Sequence, residues 1–368
     1  MHNIAFYCSS TSWGGLEMNT IRYAIWMREA GHHVKVFCVE NSPIHQRASE
    51  ANLPIQLVSR NRKYFDFINA NKVAKLFKKE GITLVWFRDT RDMDLLAWSK
   101  IFSGKKWKLL YQQAMQLGVD KKDIFHSFRF RSIDYWVSTL NFLKDQVVLR
   151  TKVDPKKISV IPLGVDVEIF NRNISKATSR KNLNLPEEGF IAGIIGRIDP
   201  LKGQHTFINA IQLSHNKIHG VVMGESTKNE SNQYEVDLKH KVRSLGLNKL
   251  IHFKPYSKDV FDFYNAIDVF VLASQGETFG TVTIEAMSFG LPVIGTNSSG
   301  TPEILNHGKC GKLFEPDNAQ ELTEHLLFLQ SNPDLMNDLG QKGKKRFTEL
   351  YSKKASISAI EQLINPDK

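Results

Sequence analysis

Short apolar runs alternate with longer stretches whose apolar positions recur at helical spacing, and glycines close several of the boundaries between them. In the first half, Ile4–Cys8, Val34–Val39, Ile55–Val58, Leu84–Phe87, Leu109–Tyr111, Tyr135–Ser138 and Ile158–Ile161 read as strands. Gly14-Gly15 opens a helix that runs to about Ala30, where Gly31 is placed to end it, and Asn71–Glu80 is a second helix ended by Gly81. Pro162-Leu163-Gly164-Val165-Asp166 reads as a boundary, and the polar stretch Asn171–Asn184 follows it as a linker. The alternation then restarts with strands Phe190–Ile195, His219–Met223, Ile251–Phe253, Val269–Leu272 and Val293–Gly295, and with helices Gln204–Leu213 and Tyr234–Leu245. From Leu322 the pattern is helical to near Leu363. Strands that alternate with helices in this way predict parallel sheets with crossover helices. The chain is therefore expected to be α/β, with two doubly wound domains over residues 1–165 and 166–345 and a helical tail over 346–368.

Size and composition agree with that expectation. A chain of 368 residues can bury two full cores, and its 42% hydrophobic and 24% charged content is that of an ordinary globular protein. No run of about 18 apolar residues suggests a membrane span. The N-terminus enters a strand at once, so no secretory signal is expected. Cys8, Cys38 and Cys310 are widely spaced, and the first two lie in strand-like runs. They read as reduced core residues of a cytoplasmic protein, and no zinc-type spacing occurs.

Charge is distributed unevenly. Residues 1–165 hold 26 of the 49 Lys and Arg but only 14 of the 38 Asp and Glu, a net of +12, while the remainder carries −1. Basic residues stand among aromatics at Arg60, Arg62, Lys63 and Tyr64, at Lys105, Lys106, Trp107 and Lys108, and at Phe128, Arg129, Phe130 and Arg131. Such faces suit an anionic membrane surface or an acidic polymer, and they serve equally as a solvated surface. No nucleic-acid motif accompanies the charge, so nucleic acid is not an expected partner.

Three segments could carry chemistry. Ser9 to Glu17 places Gly14 and Gly15 at a strand-to-helix turn, where backbone can approach an anion; taken alone, the segment reads more readily as a tight turn. Gly196-Arg197-Ile198-Asp199-Pro200-Leu201-Lys202-Gly203 puts two cations beside a helix start, a diphosphate clamp or an Arg–Asp turn with a solvated lysine. Its glycine spacing is not that of a Walker loop. Ser274 to Pro292 sets Glu277 in the loop after a buried strand and Glu285 on the helix that follows, where ligands bind in open parallel sheets. Asp92-Met93-Asp94 spells a D-x-D, but it precedes an apolar helix and reads as its cap and first-turn acids rather than as a metal site.

Taken together these segments resemble the GT-B retaining glycosyltransferases, in particular glycosyltransferase family 4. That group carries a Gly-Gly loop, a GR-x4-KG loop and an E-x7-E spacing, here Gly14-Gly15, Gly196 to Gly203, and Glu277 to Glu285. Ile161 to Asp166 resembles the family's interdomain segment, with Leu163 where Asn is common, and Ser299 to Ile304 resembles its following donor loop. The resemblance implies two Rossmann-like domains facing a central cleft, the first for the acceptor and the second for a nucleotide sugar, and a tail packing back on the first. It implies that Glu277 contacts sugar hydroxyls and Glu285 the ribose. Thr278, Phe279, Gly280 and Thr281 would face sugar and phosphate through their backbone. Arg197 and Lys202 would neutralise the leaving diphosphate, which Gly15 lets the backbone approach. Configuration would be retained, with no metal or other cofactor required. The implied donor is a UDP-sugar, with a GDP-sugar second. The acceptor is a glycan or a lipid-linked intermediate of cell-surface polysaccharide or lipopolysaccharide synthesis, met in the cytoplasm or peripherally at the membrane.

One departure matters. The family usually has a histidine after a mid-domain strand, where this chain has Gln112, Gln113 and Ala114; His126 is the nearest in sequence and reads as a helix-surface residue. Three readings follow: Gln112 or Gln113 substitutes, Ala114 is an engineered replacement, or activity is reduced. Asp89 and Asp120 are the acids placed to serve instead. The alternatives to transfer are a nucleotide-sugar epimerase or phosphorylase-type enzyme on the same frame, and a binding protein that has lost catalysis. No lysine stands in an obvious cofactor-aldehyde context, which weakens the phosphorylase form.

Overall fold

The computed structural model describes residues 1–61, 65–167, 170, 172–227 and 231–366. The chain divides into two units, Met1–Pro162 with Ile357–Lys368, and Leu163–Ser356. In the first unit the order is β1 (Asn3–Cys8), α1 (Gly15–Glu29), β2 (His33–Cys38), α2 (Pro43–Glu50), β3 (Ile55–Leu57), α3 (Phe67–Lys79) and β4 (Leu84–Phe87). There follow α4 (Met93–Phe102), β5 (Lys108–Gln112), α5 (Ile124–Arg131), β6 (Tyr135–Ser138), α6 (Asn141–Arg150) and β7 (Ile158–Val160). The seven strands are all parallel in the order β3-β2-β1-β4-β5-β6-β7. Their near-continuous apolar content follows from helices covering both faces of the sheet. On one face Tyr7, Phe37, Phe77, Trp107, Tyr111 and Trp136 form the centre of the core.

In the second unit the order is α7 (Lys176–Asn182), β8 (Phe190–Ile195), α8 (Gln204–Leu213), β9 (Ile218–Met223), α9 (Gln233–Ser244), β10 (Ile251–Lys254), α10 (Phe261–Ala266) and β11 (Val269–Leu272). It continues with α11 (Thr281–Ser288), β12 (Val293–Thr296), α12 (Thr301–Ile304), β13 (Lys312–Phe314), α13 (Ala319–Ser331), α14 (Pro333–Arg346) and α15 (Lys353–Ile364). The six strands are parallel in the order β10-β9-β8-β11-β12-β13. The two doubly wound sheets are as the alternation predicted.

The short strand β13 was missed in the pattern reading, which differs from the structure in other places too. The polar stretch read as a linker contains α7: Ser175 caps it, and Arg180 is buried with its guanidinium 2.8 Å from Asp268 and donating to the Ala266 carbonyl. Asn171, the first residue of that stretch, lies outside the described residues. Helix α3 starts at Phe67 because Asp66 accepts from the Asn69 amide and so closes the first turn. The tail is helical but broken. Pro333 starts α14, since a proline is tolerated only in a helix's first turn, and a wide turn over Phe347–Tyr351 precedes α15. From Ile357 onward the tail belongs to the first unit. There Glu361 pairs with His32, and Asn365 Oδ1 lies 3.0 Å from His2 Nε2.

The carboxyl end of β8 sits against that of β9 with no room for a side chain. Gly224 has φ +146°, and a Cβ there would lie 1.9 Å from the Gly196 carbonyl oxygen. Gly224→Ala is therefore expected to destabilise the chain by about 2 kcal/mol or more, combining backbone strain with a forced shift of the loop after β8. Denaturant unfolding beside the wild type measures it, and an unchanged midpoint would contradict the packing described.

Candidate functional site

The strand order of the second unit reverses between β8 and β11. From β8 the chain builds β9 and β10 on one side and returns to β11 on the other, so the loops after β8 and β11 leave adjacent strand ends. These loops hold the two segments singled out above, and several contacts lace them together. Gly203 has φ +70°, and a Cβ there would lie 2.1 Å from the Ala273 carbonyl oxygen. The Gln275 amide donates to the Leu201 carbonyl at 3.0 Å. Lys202 Nζ lies 2.6 Å from Glu277 Oε2, with both side chains partly exposed. Arg197 is paired with Asp199 at 2.9 Å, and Asp199 caps the turn by accepting from the Leu201 amide. The loop after β12 joins the same assembly, because the Gly300 amide donates to the Glu277 carbonyl and Ser298 Oγ to that of Gln275.

Two helices begin here without a side-chain cap. Helix α8 starts after Gly203, and α11 after Gly280, whose φ is +62°. Helix starts of this kind present backbone N–H groups and the positive end of the dipole to an anion. Glu285 lies one turn into α11, where the buried Tyr264 hydroxyl donates to its Oε2 at 2.8 Å. Thr278 and Thr281 are half-buried. Phe279 points inward, its ring 6.1 Å from that of Tyr351, so only its backbone remains for a ligand.

In the first unit the reversal falls between β1 and β4. The loop after β1 carries Gly14 and Gly15. Neither has the positive φ that favours glycine, and a Cβ at Gly15 would meet nothing within 4 Å. Neither packing nor backbone geometry requires glycine at position 15. The loop is held by Ser10, whose hydroxyl donates to Glu17 at 2.5 Å, and by Asp92. The expectation for Asp92 is corrected here. The Asp92 side chain caps no helix amide; it is fully buried and accepts from Ser9 Oγ, from the Ser9 amide and from Asn61 Nδ2. Asp94 stands in the first turn of α4 as expected, and it also holds Arg129 at 3.1 Å. Burial pushes the Asp92 carboxyl up to about 7, and the Asp89 charge adds to that, against the bonds from Ser9. Asp89 is itself gripped by Arg91 at 2.6 Å.

The segment with the unusual residues is occupied from within. Gln112 Oε1 accepts from Trp86 Nε1 at 3.2 Å and from Arg88 at 2.6 Å. Gln113 Oε1 accepts from Trp136 Nε1 and Ser138 Oγ, and its Nε2 donates to the Met115 carbonyl. Both side chains are buried, while Ala114 is half-buried. Asp120 is exposed, and His126 pairs with Asp123 at the start of α5. Arg88, which the sequence reading passed over, is buried at the end of β4 with its Nε unbonded, and burial pulls its guanidinium down to about 10. A hint lay in its position directly after an apolar strand. Among the basic and aromatic clusters, Lys105, Lys106, Lys108 and Arg131 are exposed but Trp107 and Phe130 face the core. The expected interleaving is therefore corrected for those two rings. Arg62, Lys63 and Tyr64 lie outside the described residues.

The sequence pattern described as Glycosyl transferases group 1 matches residues 175–346, and that described as Glycosyltransferase Family 4 matches residues 13–169. The chain belongs to glycosyltransferase family 4. Among curated relatives of this family-4 chain, the D-inositol 3-phosphate glycosyltransferase of Streptomyces bingchenggensis is 31% identical over 207 residues, which is 53% of this chain and 45% of that protein. The capsular polysaccharide biosynthesis glycosyltransferase CapM of Staphylococcus aureus is 26% identical over 230 residues, 61% of this chain and 59% of that protein. The chain thus matches about half the length of the curated relatives. The crystal structure of Anabaena Alr3699/HepE in complex with UDP and glucose has a TM-score of 0.80 and 19% identity, covering 99% of this chain and all of that one. The fold of this family-4 chain is GT-B.

The Asp92 environment yields a signed prediction. Its folded pKa of about 7 exceeds the unfolded value of about 3.9, so the folded state holds a proton that the unfolded state has released. The contribution of Asp92 to stability should fall as pH rises from about 4 to about 7 and stay level above. The stability of the wild type relative to Asp92→Asn, measured by urea unfolding, should therefore decline across that window; a flat difference would contradict the burial cost.

Proposed function

We propose that this chain transfers a sugar, with retention of configuration, from a nucleoside diphosphate sugar to a glycan or lipid-linked acceptor of cell-surface polysaccharide or lipopolysaccharide synthesis. The observation that carries the reading is the contact between Lys202 and Glu277 at the strand-order reversal of the second unit, beside two uncapped helix starts. A departing diphosphate develops negative charge, and cations and backbone amides already in place stabilise that charge without reorganising. Lys202 and Arg197 are the cations in this reading, with the amides at the start of α11 beside them. Glu277 takes sugar hydroxyls while its other oxygen orients the lysine. Glu285, oriented by Tyr264, takes the ribose. Neither glutamate serves as general base; the leaving phosphate receives the acceptor's proton. No metal is assigned a role, because the diphosphate charge is met by these groups. The backbone at Gly14 and Gly15 is assigned to an anion, since nothing in the protein itself calls for glycine at position 15.

UDP is the favoured donor nucleotide and GDP the second, the structural relative with UDP and glucose supporting the first. The capsular-polysaccharide relative supports the acceptor class. The engagement of Gln112 and Gln113 within the core favours one second reading, a protein that binds nucleotide sugar without transferring it. Measuring donor hydrolysis and transfer by wild type and by Ala114→His separates the two. Transfer by the wild type supports the first, and transfer only by the variant supports the second.

Three outcomes are expected. A nucleoside diphosphate at ~100 times its dissociation constant should stabilise the protein by about 2.7 kcal/mol, read as a rise in Tm; no shift across the nucleotide panel would contradict the reading. Lys202→Ala should lower kcat/KM by about a hundredfold or more, while costing at most ~1 kcal/mol of stability because the pair is partly exposed. Gly15→Ala should leave Tm unchanged and reduce turnover; unaltered turnover would withdraw the role proposed for that loop.

A further inference from the structure

We infer that the face of the first unit built by α3, α4 and α5 docks on an anionic lipid bilayer, with its rings entering the headgroup layer. The inference stands whether or not sugar transfer is the chemistry. Phe65 and Phe125 are 62% and 64% exposed, and Ile68 and Ile124 are 73% and 77% exposed. Scattered exposed apolar residues need no explanation, but the two phenylalanines belong to one connected platform of rings, and Ile68 and Ile124 adjoin Phe67 and Phe125 in sequence. The Phe65 ring lies 5.9 Å from that of Phe67 and 6.5 Å from that of Phe125. Phe67 meets Trp98 at 4.8 Å, and Trp98 meets Phe128 at 4.7 Å. Phe102, at the end of α4, extends the platform, its ring 6.2 Å from that of Trp98 and 6.3 Å from that of Phe67, and exposed Ile101 precedes it. Segments distant in sequence thus set their rings side by side facing solvent.

Charge complementarity identifies the occupant. Lys72 lies one turn beyond Ile68 on the same side of α3, and Arg131 lies one turn beyond Phe128 on α5; both are exposed. Exposed Lys105 and Lys106 follow α4, and exposed Lys122 precedes α5. The acids of the same elements are engaged locally. Asp66 caps α3, Asp94 holds Arg129, and Asp123 caps α5 and pairs with His126. A second copy of the chain would bring like charges together around the rings. Apolar rings rimmed by flexible cations match an interface of acyl chains beneath anionic headgroups. Among the described residues no helix is long and apolar enough to cross a membrane, so the contact is peripheral.

The test is sedimentation of the full chain with vesicles of phosphatidylcholine alone and of phosphatidylcholine with phosphatidylglycerol. The wild type should sediment with the mixed vesicles and stay in solution with the neutral ones. The triple variant Phe65→Ser, Ile68→Ser and Phe125→Ser should lose at least tenfold in partitioning at unchanged Tm, because all three side chains are exposed. The double variant Lys72→Glu and Lys122→Glu should bind more weakly, with the deficit shrinking as salt is raised. Nucleotide-induced thermal shifts should be the same in all three proteins, which separates this result from the donor chemistry. The inference is overturned if the wild type ignores anionic vesicles or binds neutral ones equally well. It is overturned too if the triple variant binds undiminished, or if the wild type is a dimer that the triple variant converts to monomer.

Discussion

Lys202 and Glu277 are 75 residues apart in sequence and 2.6 Å apart in space, and the reversal of strand order between β8 and β11 is what brings them together. A sheet that grew in one direction only would have sent these loops to strand ends separated by other strands. The pair does little to hold the loops, since a partly exposed ion pair contributes at most ~1 kcal/mol. That work falls to backbone contacts: Gly203 against Ala273, Gln275 on Leu201, and Gly300 on Glu277. The ion pair can therefore be spent on orientation, with Glu277 fixing the ammonium beside two uncapped helix starts.

The same topological constraint acts in the first unit, where it is met differently. Between β1 and β4 the tie is a fully buried carboxylate, Asp92, and not an exposed pair. Burial raises the cost of its charge, and the bonds from Ser9 and Asn61 offset only part of that cost. A carboxylate placed here makes the stability of the fold around the loop after β1 sensitive to proton concentration.

The strands other than β13 were legible almost to the residue, because burial on both faces leaves uninterrupted apolar runs such as Leu84–Phe87 and Val269–Leu272. Helices α2 and α7 were not, because their residues are mostly polar and they are secured by capping serines and, in α7, by a buried Arg180. The same division applies to the candidate residues of each unit. Gly14-Gly15 in the first, and Arg197, Lys202, Glu277 and Glu285 in the second, were visible as candidates through glycine spacing and position after strands. Asp92, Arg88 and the inward turn of Gln112 and Gln113 were not, because which polar side chain becomes buried is decided by tertiary packing that no local pattern encodes.

The aromatic residues of the basic half illustrate how adjacency in sequence can mislead about a surface. Trp107 and Phe130 stand beside lysines and arginines, yet their rings pack edge-on against Phe77 and Trp136 in the core. In α5 the helical repeat decides the matter: Phe125 and Phe128 are three apart and share a face, whereas Phe130 falls on the opposite one. Charge and ring therefore make separable contributions to any surface this half engages. Charge acts over about a Debye length, ~10 Å at 0.1 M salt, and needs no particular side-chain direction. Apolar burial acts only at contact and depends on helix phase. In the bilayer contact inferred above, the cations of α3 and α5 would serve approach, and the rings that point outward would serve retention.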